Sequence, residues 1–302
     1  MAKVILHEVG LRDGLQIEEQ TVPTQRKLQW IERLAASGLD MIQVGSFVNP
    51  QKMPQMADTD ELFRQLAQPG HARRRVIYTG LVLNEKGLER GLACGVDYFC
   101  MGVSASDTHS RRNTGMSTAE ATDRIIAMGR QAVAAGRSVQ VSVQSAFGCG
   151  YEGHVPLDRV LGIVARFLDA GLTTVSLADT AGHAHPAQVQ EAFSAVRALG
   201  SGVSMACHFH DTYGLGIANA YAAWLAGVTY FESAFGGLGG CPFTAVAAGN
   251  ICTEDLVHLF HRMHERDDVA LDPIVGVAQD AALFFNRALP GRIHTTGPIP
   301  HN

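Results

Sequence analysis

Short apolar runs alternate with stretches of helical spacing along most of the chain, glycine recurs where the helices would end, and no glycine-rich phosphate turn follows the first strand. Together these observations predict an α/β chain folded as a closed (β/α)8 barrel, a TIM barrel, with an extra C-terminal helix. Eight strand–helix units in about 250 residues suit that architecture. No linker or low-complexity stretch interrupts the alternation, so the 302 residues are read as one domain, 1–302.

The first strand is expected at 4–9. The spacing Leu28, Ile31, Leu34, Ala35 then marks one face of a helix over 24–37, ended by Gly38. Strands two and three follow at 41–44 and 76–82, with a helix near 86–93. A fourth strand at 98–103 precedes a long helix over 117–135, where Ser117 and Glu120 form a capping box. Strand 139–144 leads to helix 157–170, strand 173–178 to helix 186–199, strand 203–209 to helix 215–226, and strand 229–234 to helix 253–264. The extra helix is expected at about 270–287. Gly38, Gly95, Gly136, Gly171 and Gly227 sit where the chain must leave a helix through left-handed backbone. A doubly wound open sheet would be expected to carry G-x-G-x-x-G after its first strand. Here that turn is Gly10-Leu11-Arg12-Asp13-Gly14.

The composition is that of an ordinary globular protein: 46% hydrophobic and 18% charged, with mean hydropathy +0.05. A net charge of −5 and a pI near 6.2 supply no electrostatic reason to expect nucleic acid or an anionic membrane as partner. Two basic runs could hold a phosphorylated small molecule. His71-Ala72-Arg73-Arg74-Arg75 reads better as solvated loop charge, while Arg111-Arg112 is open to either reading. None of the six cysteines (94, 100, 149, 207, 241 and 252) forms a C-x-x-C pair, which argues against a structural zinc site. Reduced thiols, a short and soon-charged N-terminal apolar run, and the lack of a bilayer-length apolar segment lead us to expect a cytoplasmic protein.

In such a barrel the active residues lie at the C-terminal strand ends and in the loops that follow. Those places hold Arg12 and Asp13 after strand one, Gln43 and Ser46 at strand two, and 104–113 after strand four. They also hold 145–152 after strand five, Asp179 and Thr180 at strand six, His208-Phe209-His210-Asp211 at strand seven, and a glycine run followed by Asn250 after strand eight. On a strand, residues i and i+2 face the same way, so His208 and His210 would aim both imidazoles at one spot. Asp13 ends a strand only one strand removed from theirs, and Asn250 could add an amide oxygen. Two nitrogens and two oxygens with open positions suit Mg²⁺ or Mn²⁺; a zinc site would more often bring a thiolate. Arg12 is suited to stabilising a developing enolate oxygen, the alternative being a salt bridge at the barrel rim. Cys241, in its glycine-rich run, could exchange a proton with a carbanion or be a small buried residue. Asp179 could act as a second acid/base or orient a metal histidine.

These stretches match a known family. The chain resembles the 3-hydroxy-3-methylglutaryl-CoA lyase family, within the superfamily of metal-dependent lyase and Claisen-synthase barrels. The matching motifs are Glu8-Val9-Gly10-Leu11-Arg12-Asp13-Gly14-Leu15-Gln16, Ser46-Phe47-Val48-Asn49-Pro50, Pro54-Gln55-Met56 and Gly148-Cys149-Gly150-Tyr151-Glu152-Gly153. Further along they are Asp179-Thr180, His208-Phe209-His210-Asp211-Thr212-Tyr213-Gly214, Gly236-Gly237-Leu238-Gly239-Gly240-Cys241-Pro242, and Gly249-Asn250 with Thr253-Glu254-Asp255-Leu256. The resemblance implies that Asp13, His208, His210 and Asn250 surround Mg²⁺ or Mn²⁺, that Arg12 steadies the enolate of departing acetyl-CoA, and that Cys241 protonates it. It implies an acyl-CoA substrate near Gln43, Ser46, Asn113 and Thr180, with Arg111-Arg112-Asn113 matching a Lys-Lys-Asn stretch close to CoA. The implied reaction is retro-Claisen cleavage of a 3-hydroxy-3-methylglutaryl-CoA-like substrate to acetyl-CoA and a keto acid. A homodimer is plausible by the same analogy.

Three positions depart from the family pattern: Gln43 replaces a Glu, Ile17 an Asn and Ser142 a Tyr. They lead us to expect retained metal chemistry with an altered acyl pocket, suited to citramalyl-CoA or a 3-hydroxy-3-alkylglutaryl-CoA with a larger branch. A Claisen synthase or aldolase of the same superfamily is the rival enzyme reading, and a catalytically inert scaffold that kept the fold is the reading from another class.

Overall fold

The computed structural model describes residues 3–68, 76–240 and 249–299. Eight strands close into a barrel in chain order: β1 (Ile5–Glu8), β2 (Met41–Ser46), β3 (Ile77–Leu81), β4 (Tyr98–Ser104), β5 (Ser138–Gln144), β6 (Thr174–Asp179), β7 (Ser204–Phe209) and β8 (Tyr230–Ser233). Neighbouring strands are parallel, and β8 returns to β1 with Ile5, Leu6, His7 and Glu8 opposite Tyr230, Phe231, Glu232 and Ser233. The helices are α1 (Thr24–Ala36), α2 (Thr59–Leu66), α3 (Glu85–Ala93), α4 (Asp107–Thr114), α5 (Thr118–Ala134), α6 (Leu157–Asp169), α7 (Pro186–Ala198), α8 (Gly216–Leu225), α9 (Thr253–Arg262), α10 (Leu271–Phe284) and α11 (Ile293–Thr296). The barrel and extra helix expected from the sequence are therefore present, with the expected elements ending within a few residues of their predicted bounds.

Alternation along the strands divides two environments. Outward residues such as Leu6, Ile42, Phe99, Val141, Leu177, Cys207 and Phe231 are buried in the main core with the helices. Burying each large apolar side chain fully contributes roughly 1.5–3 kcal/mol. A separate cluster, Met41, Tyr98 and Cys100 with Ile5, Leu81 and Tyr230, fills the lumen. It makes the barrel a cup closed below its C-terminal mouth. The five helix-ending glycines have φ between +73° and +94°, as their positions in the sequence require. Ser117 and Glu120 form the expected capping box.

Several elements escaped the sequence reading. A π-helical turn, Gly10–Gly14, follows β1. α2 lies between β2 and β3, burying Leu62, Phe63 and Leu66. α4 occupies much of the expected loop 104–113; Ser106 caps it by accepting from the His109 N–H, and Gly115 ends it with φ +78°. Its sequence, Asp107-Thr108-His109-Ser110-Arg111-Arg112-Asn113-Thr114, lacks apolar periodicity, so only its caps announce a helix. α10 packs against α1 and the 3₁₀ turn Phe235–Gly237 after β8. Trp30 joins them, its ring 5.4 Å from that of Phe235 and its indole N–H donating to Asp280 at 2.6 Å. The extra helix thus braces the loop that leaves the eighth strand.

Candidate active site

The π-helical turn places Arg12 and Asp13. The Asp13 N–H donates to the Val9 carbonyl at 2.8 Å and that of Gly14 to the same oxygen at 3.4 Å, holding one wide turn at the end of β1. Such turns occur disproportionately at functional sites. On the far side of β8, His208 lies on β7 and His210 just beyond it, with their Nε2 atoms 3.2 Å apart. Each Nε2 is 3.9 Å from Asp13 Oδ2. Ligands in cis positions about an ion with bonds near 2.1 Å lie about 3 Å apart, so a small inward adjustment would bring all three onto one cation. Asp13, His208 and His210 form a compact, fully buried group of potential metal-ligating atoms.

Asn250 reaches the same spot by backbone pairing. It forms an antiparallel bridge with His210, and the next N–H, of Ile251, donates to the Phe209 carbonyl at 3.1 Å. Its amide nitrogen donates to Asp13 Oδ2 at 2.7 Å and to the Leu238 carbonyl at 3.0 Å. Its Oδ1 is buried with no hydrogen-bond partner. A buried acceptor left unsatisfied is costly, and a cation held by the neighbouring carboxylate and imidazoles would relieve it. The donor set therefore fits a divalent metal. Gly239 has φ +108°, and a Cβ there would fall 2.5 Å from the Asn250 amide nitrogen and 3.2 Å from Asp13 Oδ2. The close approach of this loop requires glycine.

Charge is tightly interlocked here. Arg12 donates through Nε to Gln43 Oε1 and through Nη1 to Asp13 Oδ1; Gln16 donates to the same Asp13 oxygen at 2.9 Å. Burial pushes the Asp13 carboxyl upward, but Arg12, both histidines and Asn250 outweigh it and hold it down at about 2. Burial opposes protonation of His208, yet its hydrogen bond to Glu232 and the charges of Glu232 and Asp13 raise its pKa. Glu232, on β8, and His7, on β1, were missed by sequence reasoning. A charged or imidazole side chain at an inward position of a barrel strand was the available signal.

The site residues expected from the sequence converge only in part. Arg12, Asp13, Gln43, Ser46, Asn113, Thr180, His208 and His210 all line one pocket at the barrel mouth, joined by Gly102, Ser142, Gln144, Ala178 and Glu232. Thr180 accepts from the Ser145 N–H at 2.9 Å. Asn113 lies on α4, where Arg111 is paired with Asp107 at 2.7 Å and Arg112 lies 4.3 Å over the Tyr151 ring. Asp179 is tied to the loop that follows β6. Its carboxylate oxygens accept from the N–H groups of His183 at 2.8 Å and Ala184 at 3.0 Å, so it holds the turn after β6, and the partner of His208 is Glu232. Burial, opposed by those N–H groups, raises Asp179 to about 6. Ile17 is exposed and is not among the described residues that line the pocket. Cys241 and the 71–75 basic run lie outside the described residues.

The family model described as HMGL-like matches residues 3–280. The chain is 35% identical over 290 residues to the hydroxymethylglutaryl-CoA lyase of Bacillus subtilis, covering 96% of each. It is 36% identical over 305 residues to the (R)-citramalyl-CoA lyase of Chloroflexus aurantiacus, covering 99% of this chain and 96% of that protein. An HMG-CoA lyase from Acinetobacter baumannii, solved with coenzyme A and 3-methylmalate, superposes with a TM-score of 0.91 at 34% identity, covering 99% of this chain and 98% of that one. With the closed barrel and the buried Asp–His–His group at its mouth, these matches show that the chain belongs to the HMGL-like family and is a carbon–carbon lyase.

Proposed function

We propose that this chain cleaves a 3-hydroxy-3-methylglutaryl-CoA-like thioester to acetyl-CoA and a keto acid, using Mg²⁺ or Mn²⁺. The observation that carries the reading is the buried Asp13–His208–His210 group with the unsatisfied Asn250 oxygen beside it and Arg12 fixed against Asp13. A divalent cation held there would supply Lewis-acid polarisation of the substrate's carboxylate and tertiary hydroxyl oxygens. In the retro-Claisen step the hydroxyl gives its proton to solvent and its electron pair closes the ketone. The C2–C3 bond breaks, and its electrons pass to the enolate of acetyl-CoA, which takes up a proton at carbon. Arg12, already oriented by Gln43 and Asp13, would stabilise the enolate oxygen at no cost of reorganisation. Cys241 is the proposed donor of the final proton. Asp179 keeps a positioning role, holding the turn that carries Thr180.

One observation favours a second substrate reading. Gly102, Ser142 and Ala178 give the wall from β4 to β6 small side chains, with Gly102 and Ser142 paired across neighbouring strands. That wall would admit a substrate bearing a different or larger group at its tertiary carbon, such as citramalyl-CoA or a longer 3-hydroxy-3-alkylglutaryl-CoA. The test is a panel of such acyl-CoA thioesters with product analysis, under Mg²⁺ and under Mn²⁺, in both reaction directions. Acetyl-CoA release from at least one member is expected, and its absence from all of them would overturn the proposal. The highest kcat/KM on 3-hydroxy-3-methylglutaryl-CoA itself would sink the altered-pocket reading alone. No described helix is long and apolar enough to cross a membrane. The free cysteines among the described residues support a reducing compartment, and the cytoplasm remains the proposed location.

A further inference from the structure

We propose that Glu232 is a positioning residue of the metal centre: held from across the barrel by Gln140, it fixes the His208 ring so that Nε2 faces the cation. The inference rests on the metal-site reading above and adds a residue that takes no part in the ligand group itself. Glu232 and His208 are register partners on β8 and β7, so their side chains stand next to each other in the lumen. His208 Nδ1 lies 2.8 Å from Glu232 Oε2. The other carboxylate oxygen accepts from the Gln140 amide, which reaches over from β5.

A carboxylate buried to 6% exposure is expensive unless its lone pairs are used. Here each oxygen has a partner, and no described lysine or arginine is hydrogen-bonded to it. The arrangement has a chemical consequence. An imidazole with Nδ1 donating to a carboxylate is locked in the tautomer whose Nε2 lone pair is free, and the carboxylate makes that nitrogen a stronger ligand. Nε2 of His208 is the atom that faces Asp13 and His210. Gln140 contributes by holding the carboxylate in the plane His208 needs.

The experiment measures Mn²⁺ affinity of the chelator-stripped full chain, by electron paramagnetic resonance or calorimetry. It compares the unmodified protein with Glu232→Gln, Glu232→Asp, Gln140→Leu and His208→Ala, and adds ¹⁵N NMR of the histidine tautomers without metal. Glu232→Gln is expected to weaken Mn²⁺ binding roughly 10- to 100-fold and, at a pH where His208 is neutral, to abolish its pure Nδ1-protonated signature. Glu232→Asp should restore part of the affinity, and Gln140→Leu should cost less than Glu232→Gln. Unchanged affinity and unchanged tautomer in Glu232→Gln, beside strong binding by the unmodified protein, would overturn the inference. Should Glu232→Gln not fold, Gln140→Leu decides, since it loosens the carboxylate without removing it: affinity and tautomer equal to those of the unmodified protein would overturn the inference. Failure of the metal-site reading is recognised separately, as equal or absent Mn²⁺ binding by the unmodified protein and His208→Ala.

Discussion

Two arcs of the same barrel mouth are built from opposite materials. From β7 through β8 to the turn after β1, Arg12, Asp13, His208, His210, Glu232 and Asn250 interlock through hydrogen bonds, and several of these groups serve two partners at once. The arc from β4 to β6 presents Gly102, Ser142, Gln144 and Ala178 to the same pocket, none of them charged. In the first arc, moving one group strips a partner from another that is buried, which is costly. In the second, a change of side chain alters mainly the space available. The first arc is thus suited to define the reaction and the second to define the substrate.

The largest effect should come from the charged arc. Replacing His208 by Ala removes a proposed ligand and leaves Glu232 Oε2 without its partner. Since metal polarisation is worth several kcal/mol, kcat/KM should fall by at least roughly 10³-fold, together with Mn²⁺ affinity. Steady-state kinetics across a metal titration measures both, and a variant recovering full rate at saturating metal would contradict this account of the arc. Arg12→Gln should come next. Losing a preorganised charge at the enolate costs roughly 10²- to 10³-fold in kcat, while Mn²⁺ stays bound. A loss confined to KM would show instead that Arg12 only binds substrate.

Beneath the charged arc, His7 is buried against Thr79 at 2.9 Å. Burial, only partly offset by Glu232, lowers it from 6.5 to about 4. Between those values the unfolded chain holds a proton that the folded chain does not, so stability rises with pH across this window and is lost as the solution is acidified. The span corresponds to about 3 kcal/mol. Chemical denaturation at pH 7 and pH 5 should show the slope, and His7→Asn should flatten it; an equally steep slope in that variant would place the titration elsewhere. The smallest effect belongs to the neutral arc. Ser142→Tyr should lower kcat/KM on the larger-branched thioesters roughly tenfold relative to the smaller ones and leave Mn²⁺ affinity untouched. A matching loss of metal affinity would show that the two arcs are not independent.

Much of this was legible in the sequence for identifiable reasons. His208 and His210 stand two residues apart at a strand end, and strand geometry alone aims them together. The capping box at Ser117 and the glycines that close the helices are local devices, read from neighbours in the chain. Glu232, Gln140 and His7 were not legible as a group. Their contacts span 24 to 92 residues of sequence, and no spacing rule joins positions so far apart. Asp179 shows the converse. Its place at a strand end suggested acid/base chemistry, and its oxygens also accept from the backbone of His183 and Ala184, a use invisible until the loop is folded. Ile17 likewise suggested a remodelled pocket and proved to be surface.

By itself the sequence determined the barrel, the order of its elements, and which residues lie at the catalytic end of each strand, because periodicity and helix-end signals act within a few residues of one another. Only the tertiary structure decided which of those residues meet. Closure of β8 onto β1 brings the turn carrying Asp13 to His208 and His210, and backbone pairing draws Asn250 in from beyond the last strand. It also decided that Glu232 holds the histidine and that Asp179 holds a loop. Both are buried carboxylates, and a buried carboxylate must satisfy its oxygens with whatever donors the fold places beside it.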